Sequence, residues 1–221
     1  MDEIIDGLKN NPDSVIIDKG LFPDELAGVK RGEVMNFDDA NHEKPNPNLN
    51  NGGGYEINCQ SCVVSYEARL RGFDVETLPN TKGSALEKLS HQTNTAWIDP
   101  VTGKYPAYLM DESVTTAKKC RQWLETTIEQ GNRYTFQFAW KGRGNGTHII
   151  SVDRLENGTL RFYDPQRSLQ LTGTEIDKYL SRLKYQMSSY GIKMSGFTRV
   201  LRVDNMNFNL DVVNNIMKGV D

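Results

Sequence analysis

The sequence predicts an α+β fold in which one early helix packs on an antiparallel sheet. Two observations carry this: a sharply delimited, apolar-striped helix that begins at Cys59, and a run of strand patterns from Arg133 to Asp164 whose last two members form a tight hairpin. At 221 residues the chain is long enough to bury a full core.

Residues 1–35 contain short apolar pieces (Ile4-Ile5, Val15-Ile16-Ile17, Leu21-Phe22) broken by Gly and Pro, and read as an appendage or linker ahead of a domain spanning 36–221. Asn36 to Gly54 has loop chemistry, rich in Asn, Asp, Pro and Gly. The helix is expected over Cys59–Arg71, with Asn58 as N-cap, Gly72 at C′, and Cys59, Cys62, Val63, Tyr66 and Leu70 on one stripe. Phe73-Asp74-Val75 opens a short extended segment. Gly83–Tyr108 reads as irregular, with a turn from Trp97 to Gly103. A second helix is expected over Thr115–Glu129, burying Cys120, Trp123, Leu124 and Ile128, with Gly131 ending it. Strands follow at Arg133–Trp140, His148–Arg154 and Leu160–Asp164. A helix from Glu175 to about Tyr190, capped by Thr174 and Asp177, a strand at Val200–Val203 and a terminal helix at Leu210–Lys218 complete the chain.

The formal charge of −3, from 26 basic and 29 acidic residues, comes without the basic stripe that nucleic acid requires. No apolar run reaches the roughly 20 residues of a membrane span, and the acidic Met1-Asp2-Glu3 start is unlike a secretory signal. A soluble protein without membrane insertion is expected, in home cytosol or delivered into a target cell. Three cysteines leave one unpaired, so the fold is not expected to rest on disulfides. Cys59-x-x-Cys62 lacks the second pair that a zinc site needs, and no metal or cofactor is expected.

A thiol becomes a nucleophile when its anion is stabilised, and a helix start with a neighbouring imidazolium does this. Cys59 occupies the first helical position, where unpaired N–H groups also suit an oxyanion. Cys62, one turn on, reads as a small core residue, with second nucleophile or disulfide partner of Cys59 as its alternatives. Of the histidines, His42 and His91 lie in polar surface stretches, whereas His148 opens an alternating apolar strand. A two-residue Asn157-Gly158 turn would split the core between faces. A three-residue Glu156-Asn157-Gly158 loop with Gly158 left-handed sets Val152 opposite Phe162 and Arg154 opposite Leu160. The same register makes His148 and Asp164 diagonal neighbours, so that Asp164 can fix the imidazole tautomer.

The segments Asn58-Cys59-Gln60-Ser61-Cys62-Val63-Val64, Arg71-Gly72-Phe73-Asp74-Val75, Thr147-His148-Ile149 and Phe162-Tyr163-Asp164-Pro165-Gln166 resemble the papain-fold toxin family of glutamine-deamidase-like bacterial effectors. The resemblance spans about residues 36–206 and implies a papain-like fold whose N-terminal helix carries the nucleophile. Carried over by position, it implies Cys59, His148 and Asp164 as a catalytic triad, with Asn58 and Gln166 framing the site. It further implies a protein substrate bearing a target glutamine, and allows a cognate immunity protein. Thr147 stands where the family often has Gly. Gly53 stands where papain carries its oxyanion glutamine, which leaves Asn58 or backbone N–H groups for that task. A papain-like peptidase or acyltransferase would use the same triad, and a non-catalytic or redox-regulated binding module is the alternative of another class.

Overall fold

The computed structural model describes residues 21–90, 92–142, 146–189, 192–195 and 198–220; the apolar pieces before Leu21, His91 and Tyr190 lie outside them. In chain order the elements are β1 (Glu25–Leu26), β2 (Val29–Lys30), α1 (Phe37–Ala40), α2 (Cys59–Leu70), β3 (Val75–Thr77), α3 (Ala85–Leu89), β4 (Trp97–Ile98), α4 (Ala117–Thr127), β5 (Arg133–Ala139), β6 (Thr147–Arg154), β7 (Leu160–Asp164), β8 (Leu169–Thr172), α5 (Thr174–Leu180), β9 (Gln186–Ser189), β10 (Ile192–Ser195), β11 (Arg199–Arg202), β12 (Asn207–Phe208), α6 (Leu210–Val213) and β13 (Met217–Gly219).

The main sheet runs β11-β5-β6-β7-β8, and each neighbouring pair is antiparallel. Its β6–β7 hairpin has the expected register, with Val152 opposite Phe162 and Arg154 opposite Leu160. Gly158 sits at φ 80°, and its N–H donates to the Leu155 carbonyl at 2.8 Å. That left-handed backbone angle, which side chains with a Cβ rarely adopt, closes the three-residue loop. Strand alternation then sends Phe136, Phe138, Ile150, Val152 and Phe162 into one apolar layer with α4 and α5. Ile149 and Leu201 go into a second layer with Val63, Val64 and Ala68 of α2.

The end of α2 is fixed by backbone geometry. Gly72 N–H donates to the Arg69 carbonyl at 2.8 Å and Phe73 N–H to the Ala68 carbonyl at 3.1 Å, a Schellman pair around a glycine at φ 96°. A Cβ on Gly72 would lie 2.6 Å from the Gly32 carbonyl oxygen, whose own N–H donates to Gly72 O at 2.8 Å. Two reasons therefore require glycine there. Through this contact and the buried Leu26, residues 21–35 are joined to the α2 layer. Beneath the helix, fully buried Glu67 accepts from Arg71 at 2.9 Å and Arg133 at 2.7 Å, so neither guanidinium leaves the carboxylate bare.

Several segments differ from their sequence-based expectation. The Asn36–Gly54 loop contains α1 and a 3-10 turn at Leu49–Asn51, and the irregular 83–108 stretch contains α3, a 3-10 turn at Thr93–Ala96 and β4. The second helix starts at Ala117 behind Thr116, and its Trp123 is half-buried rather than buried. The helix expected to reach Tyr190 stops at Leu180, because Lys184 N–H donates to Ala139 O and Lys141 N–H to Arg182 O, which pairs the following residues with the end of β5. Gly173, not Thr174, is its N-cap. The terminal helix ends at Val213, since Met217–Gly219 pairs with β3 as a strand. In both places a long-range backbone partner outcompetes a local helical pattern.

Candidate active site

Cys59 is the first residue of α2, and it is nearly buried at 5 % exposure. The Asn58 carbonyl accepts from Ser61 N–H at 3.1 Å and Cys62 N–H at 3.2 Å. The Cys59 and Gln60 N–H groups donate to no acceptor among the described residues, and Cys59 stands at the positive end of a 12-residue helix. Asn58 differs from expectation. Its side chain does not cap the helix but turns into the protein interior.

His148 is the second residue of β6, opposite Phe138, and its Nε2 lies 2.8 Å from Asp164 Oδ2. The Cys59 thiol lies close enough to the ring for its charge to act on the imidazole. Burial alone disfavours the charged ring, but the hydrogen bond to Asp164 and the nearby Cys59 and Asp164 charges outweigh it and push His148 up to about 10. The ring is walled by Trp140, stacked at 5.9 Å with a 26° tilt, and by Phe138, edge-on at 5.7 Å. These aromatics limit water access to the His148–Asp164 bond. Asp164 spends its other oxygen on the Gln166 N–H at 3.1 Å, so both carboxylate oxygens are committed.

A closed set of amide contacts joins this strand end to the helix start. Asn58 Nδ2 donates to Asn46 Oδ1 and to the Leu78 carbonyl, both at 3.2 Å. Asn46 Nδ2 donates to the carbonyls of Tyr55 and Gln166 at 3.1 Å, and Gln166 Nε2 donates to Asn58 Oδ1 at 3.1 Å. All three residues are buried, and their hydrogen bonds lock the segment before Cys59 to the segment after Asp164. The Cys62 thiol donates to the same Asn58 oxygen at 3.2 Å. Burial holds that thiol well above its ordinary range, and the nearby charges of Cys59 and Asp164 raise it further. Burial likewise pushes Cys120 up to about 12, within the α4 layer.

The structure thus brings together Cys59, His148, Asp164, Asn58, Gln166 and Cys62. All three cysteines are free thiols. His42 is exposed and stands apart from this group at φ 56°. No cluster of three or more His, Cys, Asp and Glu suited to a metal occurs among the described residues, and no described helix is long and apolar enough to cross a membrane. Sequence reasoning gave no role to Asn46 or Tyr179. Asn46 carried only the loop signature of Asn46-Pro47. Tyr179 sat unmarked in a helical pattern, yet it packs edge-on against Phe138, and its buried hydroxyl has no hydrogen-bond partner among the described residues.

No curated protein matches the chain. Residues 57–168, about half of its length, match the family described as papain fold toxin 1, glutamine deamidase, and the matched stretch runs from just before Asn58 to just beyond Gln166. The chain therefore belongs to the papain fold toxin 1, glutamine deamidase family.

Proposed function

We propose that this protein is a cysteine-dependent protein glutamine deamidase, acting as a toxin or effector domain, with Cys59, His148 and Asp164 as its triad. The observation that carries the reading is His148 held between Asp164, at 2.8 Å, and Cys59 at a helix start. The Cys59 thiolate attacks the side-chain carboxamide carbon, forming a C–S bond while the carbonyl electrons move to oxygen. The Cys59 and Gln60 N–H groups hold that oxyanion. Collapse breaks the C–N bond, and the His148 imidazolium protonates the departing ammonia. Water then attacks the thioester, His148 takes its proton, and the C–S bond breaks to leave a glutamate and restore the thiolate.

In this reading Asp164 orients the imidazole, while Asn46, Asn58 and Gln166 fix the separation between helix start and strand end. Incubating glutamine-containing peptides with the protein tests it: a mass gain of about one dalton on intact peptide, with ammonia released and loss of both in Cys59→Ser, is the expected result. Cleaved peptides would instead make the protein a peptidase, and a carboxamide left unchanged by active protein would sink the deamidase reading.

A further inference from the structure

The described arginines divide by what their guanidinium groups touch. Arg69, Arg71, Arg121, Arg133, Arg161 and Arg202 each pair with a carboxylate, Arg154 donates to the Glu125 carbonyl, Arg199 to Gln137 Oε1 at 2.8 Å, and Arg31 lies over the Phe22 ring at 5.4 Å. Arg167 and Arg182 are exposed, and their guanidinium groups donate to no protein acceptor among the described residues. Both flank the thiol site. Arg182 lies over the Trp140 ring at 5.1 Å, the ring that stacks on His148, and Arg167 follows Gln166 directly, its N–H on the Asp164 carbonyl at 3.2 Å. The charges of Asp164, Arg182, Arg167 and Cys59 all act on the Tyr179 hydroxyl, so both arginines and the thiol lie around one tyrosine.

Lys141 and Lys184 extend this edge through the backbone pairing of 139–141 with 182–184. The acidic groups on the neighbouring α5 are turned elsewhere: Glu175 accepts from Thr172 N–H at 3.3 Å, and Asp177 faces Arg121 at 3.9 Å. Exposed Glu43 is tied to the same segment as Arg167, its N–H donating to Ser168 Oγ at 3.0 Å. An arginine fork without an internal acceptor suits an external carboxylate, and in a chain of net charge −3 a local cationic edge selects its partner by charge.

We infer that Arg167 and Arg182 form a cationic rim that docks a target protein whose glutamine is flanked by carboxylate side chains. This rests on the reading of Cys59 as the nucleophile of a deamidase. The rim raises the local concentration of acidic substrate segments, whereas the glutamine carboxamide itself is neutral and is handled by the triad.

Two measurements on the full chain test it. The first compares alkylation of Cys59 by anionic iodoacetate and neutral iodoacetamide, in wild type and in the double variant Arg167→Glu, Arg182→Glu. The iodoacetate-to-iodoacetamide ratio is expected to fall several-fold in the variant and to converge with wild type at high salt. An unchanged ratio overturns the rim. The second compares deamidation of a glutamine peptide with neutral, Glu-flanked or Lys-flanked sequence. Roughly tenfold higher kcat/KM for the Glu-flanked peptide is expected, with the preference lost or reversed in the variant. Equal rates on all three peptides overturn the proposed partner. A shifted alkylation ratio without any deamidation would leave the rim standing and count against the deamidase, so the two failures are distinguishable.

Discussion

The Cys62 thiol donates to Asn58 Oδ1 across 3.2 Å, on the oxygen that also accepts Gln166 Nε2 at 3.1 Å. Cys62 is thereby a protonated hydrogen-bond donor one turn along from Cys59. Joining the two sulfurs would remove the donor from the amide network.

Serine can replace Cys62 as that donor, so Cys62→Ser is expected to keep Cys59 reactivity within about threefold of wild type, while Cys62→Val loses about 1 kcal/mol of stability in urea unfolding. Peptide mass mapping after iodoacetamide near neutral pH should find label on Cys59 and none on Cys62 or Cys120. Label on Cys62 in the native protein would overturn the assignment.

Removing the imidazole or its carboxylate partner should act on the thiol. Alkylation of Cys59 at mildly acidic pH is expected to slow at least about tenfold in His148→Ala and by a smaller factor in Asp164→Asn, because the thiolate loses its counter-ion in the first and a well-oriented one in the second. Rates that match wild type in both variants would leave Cys59 unactivated by His148.

The stability of the fold should follow the same ring. His148 is raised from 6.5 to about 10 in the folded protein, so the stabilisation from its charged form is complete below about 6.5 and is lost as pH rises through about 10. Urea midpoints measured at both ends of that window should fall further for wild type than for His148→Gln, which has nothing to titrate there. Parallel losses in the two proteins would show that the ring is not held charged.

Gly72→Ala forces an L side chain to φ 96° and drives its Cβ to 2.6 Å from the Gly32 carbonyl oxygen. A loss of about 2–4 kcal/mol is expected, against about 1 kcal/mol for Gly103→Ala, which is also left-handed but open to solvent. Similar losses at the two positions would mean that the backbone angle, not the Gly32 contact, sets the cost.

The sequence by itself determined the features whose partners lie close along the chain. Gly72 marked the end of α2 through a Schellman pair within five residues, and Glu156-Asn157-Gly158 set the hairpin register that carries His148 to Asp164, 16 residues away. Those outcomes follow from local backbone sterics and a two-residue strand period, both readable without tertiary context. Tertiary structure decided what depends on distant partners. Asn58 has the chemistry of a cap, but Asn46, Leu78 and Gln166 claimed its carboxamide from 12, 20 and 108 residues away. Lys184 N–H met Ala139 O, so α5 stopped at Leu180, and Met217 met Thr77, so a helical pattern became a strand. Buried donors and acceptors must be paired somewhere, and where the fold brings a better partner from far along the chain, that partner overrides the local preference.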